Sequence, residues 1–491
     1  MTAFGGNYFT STRDTITTTD LSGNAGFNGA RLYPPASLGG GDYTQAMNGT
    51  SAAAPMVSGV AALMLEANPD LSYRDVQAIL AASATMTGGT SQYERYDWTI
   101  NRAATWNSGG YHFSNDYGFG LVDARAAVRL AETWFGGRGA PPPGRVAVDS
   151  YVQLFERITP VTVGNVTSVD FTPATTLVTT RTELKVSLAN RNLSGVKISL
   201  RSPSGTESLL FDGTTLAIVG FNGFQEFAFT SNAFWGERSE GKWTLSVTDP
   251  SGNSAGVVDS IAITLHAGAG RPEDNVYVFT DEFAMMKEVE AARGLLDDPT
   301  GYDVLNLSAV SSVVQLNLET RSATIVGASL TMSDRTLIEE VFTGDGDDTI
   351  TGGIAAEVLN GGRGNDTISG GEGADLINGG PGRDVLAGGG GNDRFVLAGA
   401  AESADRVTDF SRVDGNMDVV DARDLLRQIG YRGADPFADG YLTIAANGAD
   451  TVVQFDRDGL SGTGYASVMV MTLTGIAPEA LGPPQQWVLT T

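Results

Sequence analysis

The chain has 491 residues, 41% of them hydrophobic and 18% charged, enough apolar material for several cores and about three domains by length. It holds no cysteine and only two histidines, His112 and His266, which excludes disulfides, zinc–thiolate sites, iron–sulfur clusters and thiol nucleophiles. The formal charge is −26, split as −5 over residues 1–270 and −21 over residues 271–491, so nucleic acid and anionic membranes are poor partners and the second half repels itself unless cations offset it.

The first fourteen residues have no basic stretch followed by an apolar core, so no N-terminal secretory signal is expected. No stretch approaches the ~20 apolar residues of a membrane span. Residues 51–68 are small and apolar nearly all round, which predicts a buried helix opening at Ser51, with Pro55 in its first turn and Pro69 as its stop. Ser72 with Asp75 resembles a capping box opening a second helix from Tyr73 to about Ala84. A third helical run covers Val122–Trp134. The segment GGRGAPPPGR then favours an extended, semi-rigid linker, placed at 136–149.

Residues 150–268 alternate in period two between turn signals such as SPSGT and DPSGNS, which predicts a β-sandwich. Residues 275–342 mix strand-like segments with a short helix somewhere in 282–296. Residues 397–491 read as strands and turns with a helix near Ala422–Ile429.

Residues 343–396 form six gapless nonapeptides: TGDGDDTIT, GGIAAEVLN, GGRGNDTIS, GGEGADLIN, GGPGRDVLA and GGGGNDRFV. The eighth position is always large and apolar, as a short buried strand requires. The glycines suit turns that need positive φ or close backbone approach to an ion. The sixth position is always acidic: Asp348, Glu357, Asp366, Asp375, Asp384 and Asp393. Carboxylates with backbone carbonyls form the hard oxygen shell that Ca2+ takes. If one turn of coil uses two units, residues eighteen apart stack into two acidic rows. The second unit departs from the pattern, with Ala356 read in place of glycine and Glu357 in place of aspartate, and the weakest site is expected there.

This register resembles the calcium-binding nonapeptide repeat of RTX proteins. DRVTDF (405–410) and FDRDG (455–459) resemble the carboxy-terminal cap of type I secreted proteins. The resemblance covers about residues 275–491. It implies a parallel β-roll with an uncleaved C-terminal export signal, a bacterial type I secretion apparatus as partner, and an extracellular location. Asp456 and Asp458 are read as an ordinary polar turn before a further ion site.

NGTSAAAPMVSGVAALML (48–65) places a serine at a helix N-terminus, where free N–H groups suit an oxyanion. It resembles the active-site serine motif of subtilases, most like the kexin branch, and Ser51 matches the nucleophile. ITTTDLSGNAGFN (16–28) and YGFGLVDARAAV (117–128) extend the likeness, so residues 1–135 resemble the C-terminal part of an α/β catalytic domain. That family places Asp, His and an oxyanion Asn before the serine. No histidine precedes Ser51 here, and neither His112 nor His266 is expected to replace that base. RSPSGTESLL (201–210) and FWGERSEGKWTLSVTD (234–249) resemble the P domain of kexin-like proteases, a jelly-roll sandwich, with Trp235 and Trp243 expected in its core or an interface.

The expected chain is therefore multidomain. A partial subtilase fragment (1–135), the linker (136–149), a P domain (150–268) and an RTX region (275–491) follow in order. It reads as the C-terminal portion of a secreted, calcium-dependent serine endopeptidase acting on protein substrates and inactive by itself. A non-enzymatic extracellular calcium-binding or adhesion protein with a vestigial protease remnant is the open alternative.

Overall fold

The computed structural model describes residues 16–19, 43–47, 50–87, 98–134, 151–157, 161–162, 166–173, 176, 178–189, 196–213, 224–248, 257–268 and 274–490 apart from 398, 400–403 and 463. The expected linker lies outside the described residues. The chain divides into two compact units, residues 1–100 with 112–134, and residues 101–111 with 135–491.

The first unit is built on three helices. α1 spans Thr50–Ala67, α2 Tyr73–Ser83 and α3 Ala124–Thr133. The capping box at Ser72 forms as expected. The Asp75 carboxylate accepts from the Ser72 N–H at 2.8 Å, and the Ser72 hydroxyl accepts from the Asp75 N–H at 3.3 Å. Asp75 also accepts from the Trp134 indole N–H at 3.1 Å, which ties α2 to the end of α3. Met64, Ile79, Leu130 and Ala131 are buried between the helices.

Two expectations about α1 are corrected. Only Ala52, Val60 and Met64 are buried, because a helix apolar all round needs neighbours on every side and the described residues supply few. Pro55 lies in the second turn, where its missing N–H deprives the Ser51 carbonyl of its helical partner. A third expectation also needs amending. α1 is long and apolar enough by length and composition to cross a membrane, since its alanines, valines, leucines and methionines together raise its hydropathy.

In the second unit, two antiparallel sheets share one core. One sheet runs in the order Phe224–Ser231, Val178–Ala189, Val257–Gly268, Tyr151–Arg157, with Val161–Thr162 also pairing Val257–Gly268. The other runs Glu207–Asp212, Lys197–Arg201, Trp243–Thr248, Val166–Phe171. Alternation decides which side chains enter. Trp243, Leu245 and Val247 are buried, and they meet Leu184, Val186, Ile261 and Ile263 from the facing sheet. Trp243 donates its indole N–H to the Ser239 carbonyl at 2.9 Å.

The remainder of the unit winds through two sheets in alternation. One holds eight parallel strands in the order Val276–Thr280, Val304–Ala309, Glu340–Phe342, Val358–Asn360, Leu376–Asn378, Arg394–Val396, Val419–Asp421, Val488–Leu489. The other has a parallel centre of Gln315–Asn317, Thr349–Thr351, Thr367–Glu372, Val385–Gly390, Asp405–Val407 and Val468–Leu473. Antiparallel hairpins flank that centre on both sides, 322–332 and 442–455, and cover what would be open edges. Within the repeats the register is eighteen residues, pairing Ile350 with Ile368 and Leu359 with Ile377. All six eighth-position side chains are buried. The coil also extends beyond the repeats on both sides, a continuation that the loss of the nine-residue period hides in the sequence. The helix expected within 282–296 is a short one at Phe283–Val289 followed by a 3-10 turn, and the later one is Arg423–Gln428.

Candidate functional site

Ser51 is the second residue of α1 and is exposed. The first-turn amides of α1 point along the axis toward its N-terminal end, a setting that favours developing negative charge beside a hydroxyl. His112 is buried in the strand His112–Phe113, edge-on to Trp98 with ring centroids 5.1 Å apart. His266 lies in the strand Val257–Gly268 of the other unit, 3.3 Å from both Arg181 and Glu183. Both histidines are thus held in structural settings by their own sheets.

The six acidic side chains of the repeats are all buried, in two rows. In each row one carboxylate oxygen accepts the N–H of the acidic residue one coil back. Asp348 N donates to Asp366 Oδ1 at 2.7 Å and Asp366 N to Asp384 Oδ1 at 2.8 Å. On the other edge Glu357 N donates to Asp375 Oδ1 at 2.8 Å and Asp375 N to Asp393 Oδ1 at 3.0 Å.

The second oxygens divide the six into two groups. Oδ2 of Asp366, Asp375, Asp384 and Asp393 is buried with no hydrogen-bond donor. Asp348 Oδ2 instead accepts from Gly344 N at 3.1 Å, and Glu357 Oε2 from Gly353 N at 3.3 Å. First-position glycines leave room beside each donor-less oxygen. A Cβ on Gly361, Gly370, Gly379 or Gly388 would lie 2.1 to 2.4 Å from the Oδ2 of its own unit. Fourth-position residues stack their carbonyls close by, so a Cβ on Gly364 would meet the Gly346 carbonyl and one on Gly373 the Ala355 carbonyl. This stacking corrects the reading of the second unit: its fourth position is Ala355, not Ala356.

Burial pushes the whole set up. Asp366 is raised to about 8 and Glu357 to about 7, while Asp348 and Asp375 rise to about 6. Desolvation is the largest cause for each, and neighbouring carboxylates in the row add to it for Asp366, Glu357 and Asp375. Asp384 and Asp393 are raised for the same first reason. A buried carboxylate oxygen without a donor is costly unless a cation meets it. Among the described residues no cluster of three or more His, Asp or Glu side chains could hold an ion by itself. One carboxylate per unit plus glycine carbonyls is the donor set present, and it is all hard oxygen, as Ca2+ prefers.

Sequence reasoning missed two acids that prolong the rows and a third that caps the neighbouring glycine turn. Asp405 Oδ1 accepts from Asp384 N and Asp418 Oδ1 from Asp393 N, each at 3.1 Å. Asp409 takes the N–H groups of Gly388 and Gly389 with its two oxygens. Asp405 and Asp409 were in view within DRVTDF, but their spacing of 21 residues from the repeat hides the row. Asp456 and Asp458 form a turn, with Asp456 Oδ1 accepting from Asp458 N and Gly459 N.

Three family models match the chain. Residues 5–120 match the subtilase family, residues 179–265 the proprotein convertase P-domain, and residues 338–368 and 360–395 the RTX calcium-binding nonapeptide repeat. The chain thus joins a stretch similar to subtilases to stretches similar to the P-domain and to RTX repeats. The subtilase family is one of serine-type endopeptidases. An extracellular serine protease of Aeromonas sobria is 34% identical over 279 residues, 51% of this chain and 44% of that protein. Human proprotein convertase subtilisin/kexin type 6 is 33% identical over 211 residues, 42% of this chain and 20% of that protein. The chain therefore spans less than half the length of these curated relatives. A crystal structure of the Aeromonas sobria serine protease superposes with a TM-score of 0.40 at 28% identity, covering 51% of each chain.

Proposed function

We propose that the chain is the C-terminal portion of a secreted, calcium-dependent serine endopeptidase of the subtilisin/kexin type. The observation that carries this reading is the order of its segments: subtilase, P-domain and RTX repeats on one polypeptide. The subtilase segment would occupy 1–135, the Gly/Pro linker 136–149, a jelly-roll P-domain 150–268, and the RTX region with its cap 275–491, its repeats wound as a parallel β-roll.

Ser51 is the nucleophile in this reading. Its hydroxyl would attack the scissile carbonyl of a protein substrate while first-turn amides of α1 favour the oxyanion. A hydroxyl needs a general base at neutral pH. The base, its orienting acid and the oxyanion Asn are assigned to sequence preceding residue 1, and this chain by itself is inactive.

Asp348, Glu357, Asp366, Asp375, Asp384 and Asp393 are assigned to Ca2+. The donor-less Oδ2 atoms of Asp366, Asp375, Asp384 and Asp393 support that assignment most directly. Bound Ca2+ would supply positive charge between like charges and so link folding to external calcium. An uncleaved C-terminal signal, the type I secretion apparatus and an extracellular bacterial setting complete the reading.

The test joins this chain to the coding sequence upstream of Met1 and applies a fluorophosphonate probe. Calcium-dependent labelling at Ser51, abolished in Ser51→Ala, is expected. A stop codon or unrelated sequence upstream, or no labelling of the joined protein, would overturn the protease reading.

A further inference from the structure

Residues 101–111 fall inside the subtilase match, yet they pack with the P-domain and the C-terminal region as part of the second unit. The loop leaves and re-enters the first unit through paired residues, Ile100 opposite His112.

On the P-domain side, the Asn101 amide donates to the carbonyls of Ala233 at 3.0 Å and Trp235 at 2.8 Å. The Arg102 N–H donates to Glu237 Oε1 at 2.8 Å. Gly236, at φ +79°, has no Cβ to strike Ala103, which would stand only 2.8 Å away.

On the C-terminal side, the loop extends the eight-stranded parallel sheet that also carries repeat strands. Trp106 forms a parallel bridge with Val278, in the outermost strand. Val278 N donates to Thr105 O and Asn107 N to Val278 O, both at 2.8 Å. The Asn107 side chain donates to Thr280 Oγ1 and accepts from Thr280 N. Arg293 closes the arrangement. Its side chain is entirely buried and donates to the carbonyls of Trp106 at 3.3 Å, Asn107 at 3.2 Å and Gly110 at 2.9 Å.

A buried guanidinium is tolerated only where acceptors meet it. Here the loop supplies three of them, so the loop and the Arg293 pocket stabilise each other. Asn107 and Ser108 adopt left-handed backbone, φ 46° and 52°, which non-glycine residues hold only where their surroundings impose it.

We propose that residues 101–111 are a coupling segment. Docked on the outer edge of the repeat-bearing sheet and latched by Arg293, they make calcium-driven folding of the C-terminal region order a loop of the subtilase segment. The proposal rests on the calcium reading above.

Hydrogen exchange of the whole chain with and without Ca2+ tests it. Ca2+ is expected to slow exchange in 101–111 by about tenfold or more, together with the repeat amides. Arg293→Met should keep the response of the repeats and lose that of the loop. Should Arg293→Met abolish the repeat response itself, Asn107→Gly, which tolerates the left-handed backbone, is read in its place. Repeats that respond beside a loop that does not would overturn the coupling and leave the calcium reading standing. Repeats that ignore Ca2+ would overturn the calcium reading and the coupling with it. A loop response preserved in Arg293→Met would overturn the latch, and one preserved in Asn107→Gly would overturn docking through the Asn107 and Thr280 pairing.

Discussion

Asp375 and Glu357 hold the sixth position of their units on the same edge and meet different surroundings. Asp375 Oδ2 has no donor, whereas Glu357 Oε2 takes the Gly353 N–H. Asp375→Ala should therefore raise the calcium concentration that half-folds the region by about tenfold or more. Glu357→Ala should move it much less, with far-UV circular dichroism as the readout. Glycines divide in the same way. A Cβ at Gly379 would lie 2.1 Å from Asp384 Oδ2, whereas one at Gly399 would meet nothing within 4 Å. Gly379→Ala should weaken the calcium response and Gly399→Ala should leave it intact, as a calcium titration of each variant would show. At this scale the acids and the first-position glycines were legible, because a strict period ties residue type to place. The sorting of four donor-less oxygens from two satisfied ones was not, since it depends on which amide lies within reach after folding. Arg293 was invisible for the same reason: its three acceptors are backbone carbonyls some 183 to 187 positions away.

The paired rows give the repeat element a pH dependence whose sign follows from the direction of the shifts. Burial lifts Asp366 to about 8, Asp405 to about 8, Glu357 to about 7 and Asp375 to about 6. Unfolded carboxylates titrate near 4. A folded value above the unfolded one means that the folded form binds protons more tightly. In calcium-free buffer the element is thus most stable below about pH 4 and loses stability as pH climbs through the 6-to-8 range. Thermal melts in chelator should show a higher midpoint at pH 5 than at pH 8. With millimolar Ca2+ the order should reverse, because protons then compete with the ion. Equal midpoints at both pH values in chelator would show that the carboxylates stay solvated. Among the helices, the capping box at Ser72 was readable because it is local in sequence. The burial of α1 was misjudged because an apolar composition states what a helix can bury and leaves open what is there to bury it.

Across the whole molecule, the order of segments was legible from motifs, and the two-sheet winding of the repeats from their period. The continuation of that winding into 276–309 and 405–489 was not, since those coils keep the parallel pairing but neither the eighteen-residue step nor the nine-residue spelling. The eighteen-residue register has a consequence for how the gene can change length. Each nonapeptide hands the chain from one sheet to the other, so parity matters. Removing 361–378 deletes one full turn and returns every later strand to its own sheet, with an acidic residue still in each row. Removing 361–369 sends every later strand, and the closing hairpin at 442–455, to the opposite face. The first deletion should retain a calcium-induced β signal and the second should lose it. Repeat number in such a chain can drift only by pairs, as steps on a spiral stair come away by the full turn if the landing is to stay where it was.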